Sequence, residues 1–158
     1  AVILRYAEDY RPGDIFDLGS HQITETEILE FARQYDPQPM HLDKEFAARS
    51  HYGGLISSGW LTALILFRLM LRGFICQETS LGSPGLENIQ WHKPVFPGDT
   101  LRLQVRITDT RPMRSRPHVG MVRIVWDLSR QGDEKVLSME GWAMFGRRHP
   151  AAPDTPAV

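Results

Sequence analysis

Cysteine is nearly absent from this 158-residue chain, with Cys76 standing alone. One thiol excludes an intramolecular disulfide and any zinc site built from several thiolates, and it fits a reducing compartment. A charge excess is also missing. Lys and Arg number 18 against 19 Asp and Glu, a formal net charge of -1, whereas a nucleic-acid binder normally carries a clear basic surplus. The longest apolar stretch, Leu61 to Phe74, is interrupted by Arg68, Arg72 and Gly73. A bilayer span needs about 20 apolar residues, so this stretch reads as a buried helix and no membrane partner is expected. No signal-peptide pattern opens the sequence, and a cytoplasmic location is the base-rate expectation.

What is present reads as one soluble domain. Hydrophobic residues make up 42% and charged residues 23%, an ordinary globular balance. Residues 1–149 are expected to form a single domain, followed by a disordered tail from Pro150 to Val158 that is rich in Ala and Pro.

Thr24 and Glu27 have the spacing of a capping box. Ile28, Phe31, Ala32 and Tyr35 then recur at helical intervals. Pro37 and Pro39 should end that helix and leave Asp36 to His41 as an ordered, non-helical loop or turn. Asp43 can cap a short helix through Phe46 and Ala47. Beyond Gly53 and Gly54, Ser57 or Ser58 can cap a longer helix through Leu71, with Gly73 as its stop. Leu61, Leu64, Ile65, Leu66, Leu69 and Met70 surround most of this helix, which places it at the centre of a core.

From Ser83-Pro84-Gly85 onward the period changes to two. Leu101, Leu103, Val105 and Ile107 alternate with polar residues, as do Val122, Ile124, Trp126 and Leu128, and then Leu137, Met139, Gly141, Ala143 and Phe145. Gln131-Gly132-Asp133 suits a hairpin turn, Glu87 to Val95 supplies an earlier strand, and Ile15 to Leu18 an edge strand. The fold class is α+β, a curved antiparallel sheet wrapped around a central apolar helix.

Two features carry chemistry. In Tyr35-Asp36-Pro37-Gln38-Pro39-Met40-His41 an acid and a histidine lie five residues apart on a chain stiffened by two prolines. Such a pair can hold one water and share its proton transfers; a helix cap and a surface histidine would look the same. In Leu55-Ile56-Ser57-Ser58-Gly59-Trp60, a glycine in the first turn of a buried helix leaves an open backbone donor at the positive end of the dipole. That donor can serve as an oxyanion hole, and close helix–sheet packing would equally call for glycine.

The stretch from Phe31 to Leu64, together with Lys93-Pro94-Val95-Phe96-Pro97-Gly98-Asp99, resembles the MaoC-like dehydratases, the (R)-specific enoyl-CoA hydratase (hydratase 2) family of the hot-dog superfamily. The resemblance implies a hot-dog fold and addition of water to an enoyl-CoA thioester, or its removal from a 3-hydroxyacyl thioester. Asp36 and His41 match the family's catalytic pair, and Gly59 the glycine whose amide faces the thioester oxygen. Two departures stand out: Gln38 replaces an Asn, and Ser58 replaces a His.

Tyr35, Met40 and Trp60 are candidates for the acyl pocket wall. Arg111, Arg114 and Arg116, at a turn or bulge between strands, are candidates for coenzyme A phosphates; Arg147 and Arg148 are weaker ones. The resemblance implies no metal and no cofactor beyond the coenzyme A of the substrate. It also implies a homodimer, with larger assemblies possible. The alternatives are a hot-dog thioesterase and a non-catalytic acyl-CoA-binding relative.

Overall fold

A computed structural model describes residues 3–153. Five strands form one antiparallel sheet: β1 (Ile15–Gln22), β2 (Gly85–Trp91), β3 (Thr100–Met113), β4 (Arg116–Arg130) and β5 (Glu134–Gly146). Their spatial order is β1-β3-β4-β5-β2, which leaves β1 and β2 as edges. The helices α1 (Glu25–Tyr35), α2 (Pro39–Leu42), α3 (Lys44–Arg49) and α4 (Gly59–Met70) all fall between β1 and β2 in the chain.

The period-two pattern lands in the core as expected. Leu101, Leu103, Val105 and Ile107 are buried on β3, opposite buried Leu128, Trp126 and Ile124 of β4. These residues and Leu66 and Leu69 of α4 belong to one hydrophobic cluster. The sheet around one apolar helix is the hot-dog arrangement that the family resemblance implies. The β4–β5 hairpin turns at Gln131–Asp133, where Gly132 and Asp133 adopt positive φ.

The capping signals hold residue by residue. Thr24 accepts from the Glu27 amide, and the Glu27 carboxylate accepts from Thr24 N–H. Asp43 accepts from the amides of Glu45 and Phe46, and Ser58 caps α4 through the Trp60 amide.

Three expectations need correction. The segment from Asp36 to His41 is not wholly non-helical: Pro39 begins α2, because proline at a first helical position sacrifices no intrahelical donor. The central helix is not covered on all sides in one chain, since Trp60, Leu64 and Phe67 form an exposed stripe at i, i+4, i+7 spacing. The expected tail is tied down at its start, where Ala151 N–H donates to Pro117 O at 2.8 Å; residues 154–158 lie outside the described residues. No helix among the described residues is long and apolar enough to cross a membrane.

Candidate active site

The acid–histidine pair is assembled by local chain geometry. Asp36 caps the C-terminus of α1, its amide donating to Ala32 O at 3.0 Å. One helical turn then raises His41, whose amide donates to Gln38 O at 2.9 Å. Next comes an extended link, with Ile56 N–H donating to Met40 O at 3.2 Å and Ser57 N–H to Val95 O at 2.8 Å. These two bonds seat the entry to α4 between the histidine turn and the segment after β2.

His41 is buried, and its Nδ1 lies 2.8 Å from the Ile56 carbonyl. A carbonyl can only accept, so Nδ1 carries the proton. Nε2 faces the Asp36 carboxylate at 3.3 Å, and in the neutral ring it is a proton acceptor. The imidazole is thus fixed in tautomer and orientation by the backbone.

The Asp36 side chain retains 15% exposure. Burial pushes its carboxyl upward, but hydrogen bonds from Gln38 and Ser58 and the nearby His41 outweigh that and hold it below the usual carboxylate value. The two departures from the family pattern therefore both act on this carboxylate. Gln38 Nε2 donates to Asp36 Oδ1 at 2.7 Å, and Ser58 lowers the same carboxyl. Asp36 stays ionised through the neutral range. Its contribution to stability is complete above the unfolded carboxyl value of about 3.9 and is lost as pH falls through the lower folded value. Replacing Gln38 with Ala removes a lowering contact, so the folded value rises. We expect the acid limb of the Gln38→Ala pH–rate profile to begin at a higher pH than in the parent, measured as kcat/KM across pH.

Met40, His41, Gly59, Thr62, Trp91 and Lys93 line a cavity of about 360 Å³. Gly59 is the first residue of α4, and no group among the described residues accepts its N–H. A donor of this kind at a helix N-terminus is suited to a developing oxyanion. Another cavity, of about 260 Å³ beside Arg5, Gly73 and Cys76, has no histidine–carboxylate pair. Among the described residues no group of three His, Cys, Asp or Glu could hold a metal ion.

The same fold recurs among known proteins. A family model described as the MaoC-like domain matches residues 10–126. The chain belongs to the MaoC-like dehydratase family. It is 35% identical to a MaoC-like dehydratase from Rhodospirillum rubrum, covering 92% of this chain and 99% of that one with a TM-score of 0.85. It is 27% identical over 153 residues to the 3-hydroxybutyryl-CoA dehydratase of Methylorubrum extorquens, 94% of this chain and 88% of that protein. The (R)-hydratase from A. caviae, involved in PHA biosynthesis, superposes with a TM-score of 0.70 at 25% identity, over 89% of this chain and 98% of that one.

In this MaoC-like dehydratase chain, His41, Gly59 and Met40 share the cavity wall, and Asp36 stands behind it against His41 Nε2. Other candidates lie elsewhere. Tyr35 is 67% exposed and packs on Phe31. Trp60, 61% exposed, is absent from the cavity wall and meets Trp91 edge-on.

Arg111, Arg114 and Arg116 sit at the β3–β4 hairpin. The register aligns Arg111 with Met121 and Met144, whereas the cavity end of the sheet is the row Leu103, Leu128, Leu137, Trp91. The rows are separated along β4 by the span from Met121 to Leu128, roughly 23 Å at strand rise. Within one chain the arginines are therefore remote from the cavity, and Arg111 is engaged by Asp109 at 2.9 Å. Arg148 is likewise paired, with Asp9 at 2.7 Å.

Sequence reasoning passed over Gln38 as a partner of Asp36, and also Thr62, Trp91 and Lys93. Trp91 had a usable signal: it shares the strand face of Ile89, immediately before the Lys93-Pro94 turn.

Proposed function

We propose that this protein is an (R)-specific enoyl-CoA hydratase, or the corresponding 3-hydroxyacyl-CoA dehydratase, with Asp36, His41 and Gly59 as its catalytic residues. The observation that carries this reading is His41 itself. Its Nδ1–H is spent on Ile56 O, so its Nε2, backed by the Asp36 carboxylate, is left for proton transfer at the cavity that Gly59 also lines.

In the hydration direction, a water held by Asp36 and His41 gives up a proton to the pair as its oxygen bonds to C3 of the enoyl thioester. The electron pair of the double bond moves toward the thioester oxygen, where the Gly59 N–H meets the developing charge. The same pair returns a proton to C2. Because one pair on one face delivers both hydroxyl and proton, the addition is syn. Dehydration is the reverse sequence. This sequence of steps calls on no metal or organic cofactor; coenzyme A belongs to the substrate. The Methylorubrum dehydratase, active on a coenzyme A thioester by its name, and the A. caviae (R)-hydratase support both the carrier and the stereochemistry.

The working unit in this reading is a homodimer in the cytoplasm, serving fatty-acid metabolism. The edge strand β2 has a free side, and the exposed stripe of α4 stands beside it through the Trp60–Trp91 contact. Antiparallel pairing of β2 with a second copy would cover both. It would also set the Gly85 end of one strand beside the Trp91 end of the other. Gly85 pairs with Trp142, and the Arg111 guanidinium lies 5.7 Å from that ring. The arginine-bearing end of one copy would therefore flank the cavity of the other and offer Arg111, Arg114 and Arg116 to coenzyme A phosphates, with Lys93 at the cavity as a further cation.

The test is loss of enoyl-thioester absorbance with crotonyl-CoA and a panel of longer and branched enoyl-CoAs. Turnover to the (R)-3-hydroxyacyl product is expected. Release of free thiol in its place would make the protein a thioesterase, and binding of the panel without turnover would make it an acyl-CoA-binding protein.

A further inference from the structure

We infer that Trp91 is the positioning residue for the Gly59 amide, locking the first turn of α4 in the orientation that the oxyanion requires; the inference rests on the hydratase reading above. The Trp91 indole N–H donates to the Gly59 carbonyl at 2.9 Å, from a residue 32 positions away in sequence. Its ring also fills the space beside the glycine. A Cβ on Gly59 would lie 2.7 Å from Nε1 and 2.8 Å from Cε2. The absence of a side chain at Gly59 is thus explained by this indole as well as by access to the cavity.

The Gly59–Trp60 peptide is gripped at both ends of its dipole. Its carbonyl takes the Trp91 N–H, and its amide donates to Ser58 Oγ at 3.3 Å. Glycine has the widest backbone freedom of any residue, and a helix start is where a helix frays. Left alone, the amide of a glycine in the first turn would sample several directions. Fixing the following peptide plane removes that freedom and leaves the Gly59 N–H as the unclaimed donor at the cavity.

The clamp comes from a rigid element. Trp91 ends β2, paired with Leu137 of β5, and its outer edge is braced by Trp60 at 5.3 Å and an interplanar angle of 79°. The sheet therefore holds the helix terminus at the one place where a small angular error would weaken transition-state stabilisation. Trp91 acts through Gly59 and contributes no proton transfer.

The test uses Trp91→Phe, which keeps an aromatic ring and removes the N–H, and Trp91→His, whose ring can present an N–H at the same distance from the main chain. Each is measured for kcat and KM on the best enoyl-CoA. Each is also measured for the long-wavelength shift in absorbance of bound 2,4-hexadienoyl-CoA, a spectroscopic reading of carbonyl polarisation that simple loss of packing does not move. We expect Trp91→Phe to lower kcat on the order of tenfold with KM within about twofold, and to diminish the shift. Trp91→His should recover part of both. A Trp91→Phe protein with parental kcat and shift overturns the inference alone. So does equal impairment of the two variants with the shift intact, which would make the ring a filler. A parent protein that hydrates no enoyl thioester sinks the hydratase reading, and this inference with it.

Discussion

Asp36→Asn is expected to lower kcat by about 10²–10⁴-fold, the range for removing a positioned acid–base group, with the fold retained. The substitution keeps the size of the side chain and an oxygen able to accept from Gln38. What it removes is the charge, and with it the proton acceptor facing His41 Nε2. Loss of enoyl-thioester absorbance gives the rate, and circular dichroism melts of both proteins show whether the fold is retained. A folded Asp36→Asn protein with parental turnover would remove Asp36 from the mechanism.

Leu64→Glu combined with Phe67→Glu is expected to convert the proposed homodimer to a monomer. Both side chains are about half exposed in one chain and lie on the stripe beside the free edge of β2. If a second copy covers their exposed halves, each contributes roughly 0.75–1.5 kcal/mol by burial, and the symmetric dimer carries each of them twice. Losing both raises the dissociation constant by about 10²–10⁴-fold, and burying two carboxylates adds a further penalty. Sedimentation equilibrium of parent and variant reads the mass directly. Monomeric parent protein, or a variant that keeps the dimer mass, would refute the pairing. Activity should fall with the dimer, since the arginines lie far from the cavity of their own chain.

The strands and caps were legible because their signals are local. Alternation at Leu101, Leu103, Val105 and Ile107 needs no knowledge of the partner strand, and a capping box is complete within four residues. The Asp36–His41 spacing was legible for the same reason. Pro39 is ambiguous in sequence, because proline breaks a helix interior and starts a new helix equally well. The exposure of Trp60, Leu64 and Phe67 was hidden because composition reports that a helix is apolar and says nothing about which face the sheet covers.

Sequence alone determined the class of this protein: a sheet of alternating strands, one apolar helix, and an acid, a histidine and a glycine at family spacing. Tertiary structure decided how those groups are held. The Ile56 carbonyl that sets the tautomer of His41 is 15 residues from it, and the indole that grips Gly59 is 32 residues away. Strand register likewise separates Arg111 from the cavity of its own chain. Short-range patterns record the preferences of a residue and its near neighbours, whereas these contacts arise when distant segments close on one another, and no local pattern specifies that distance.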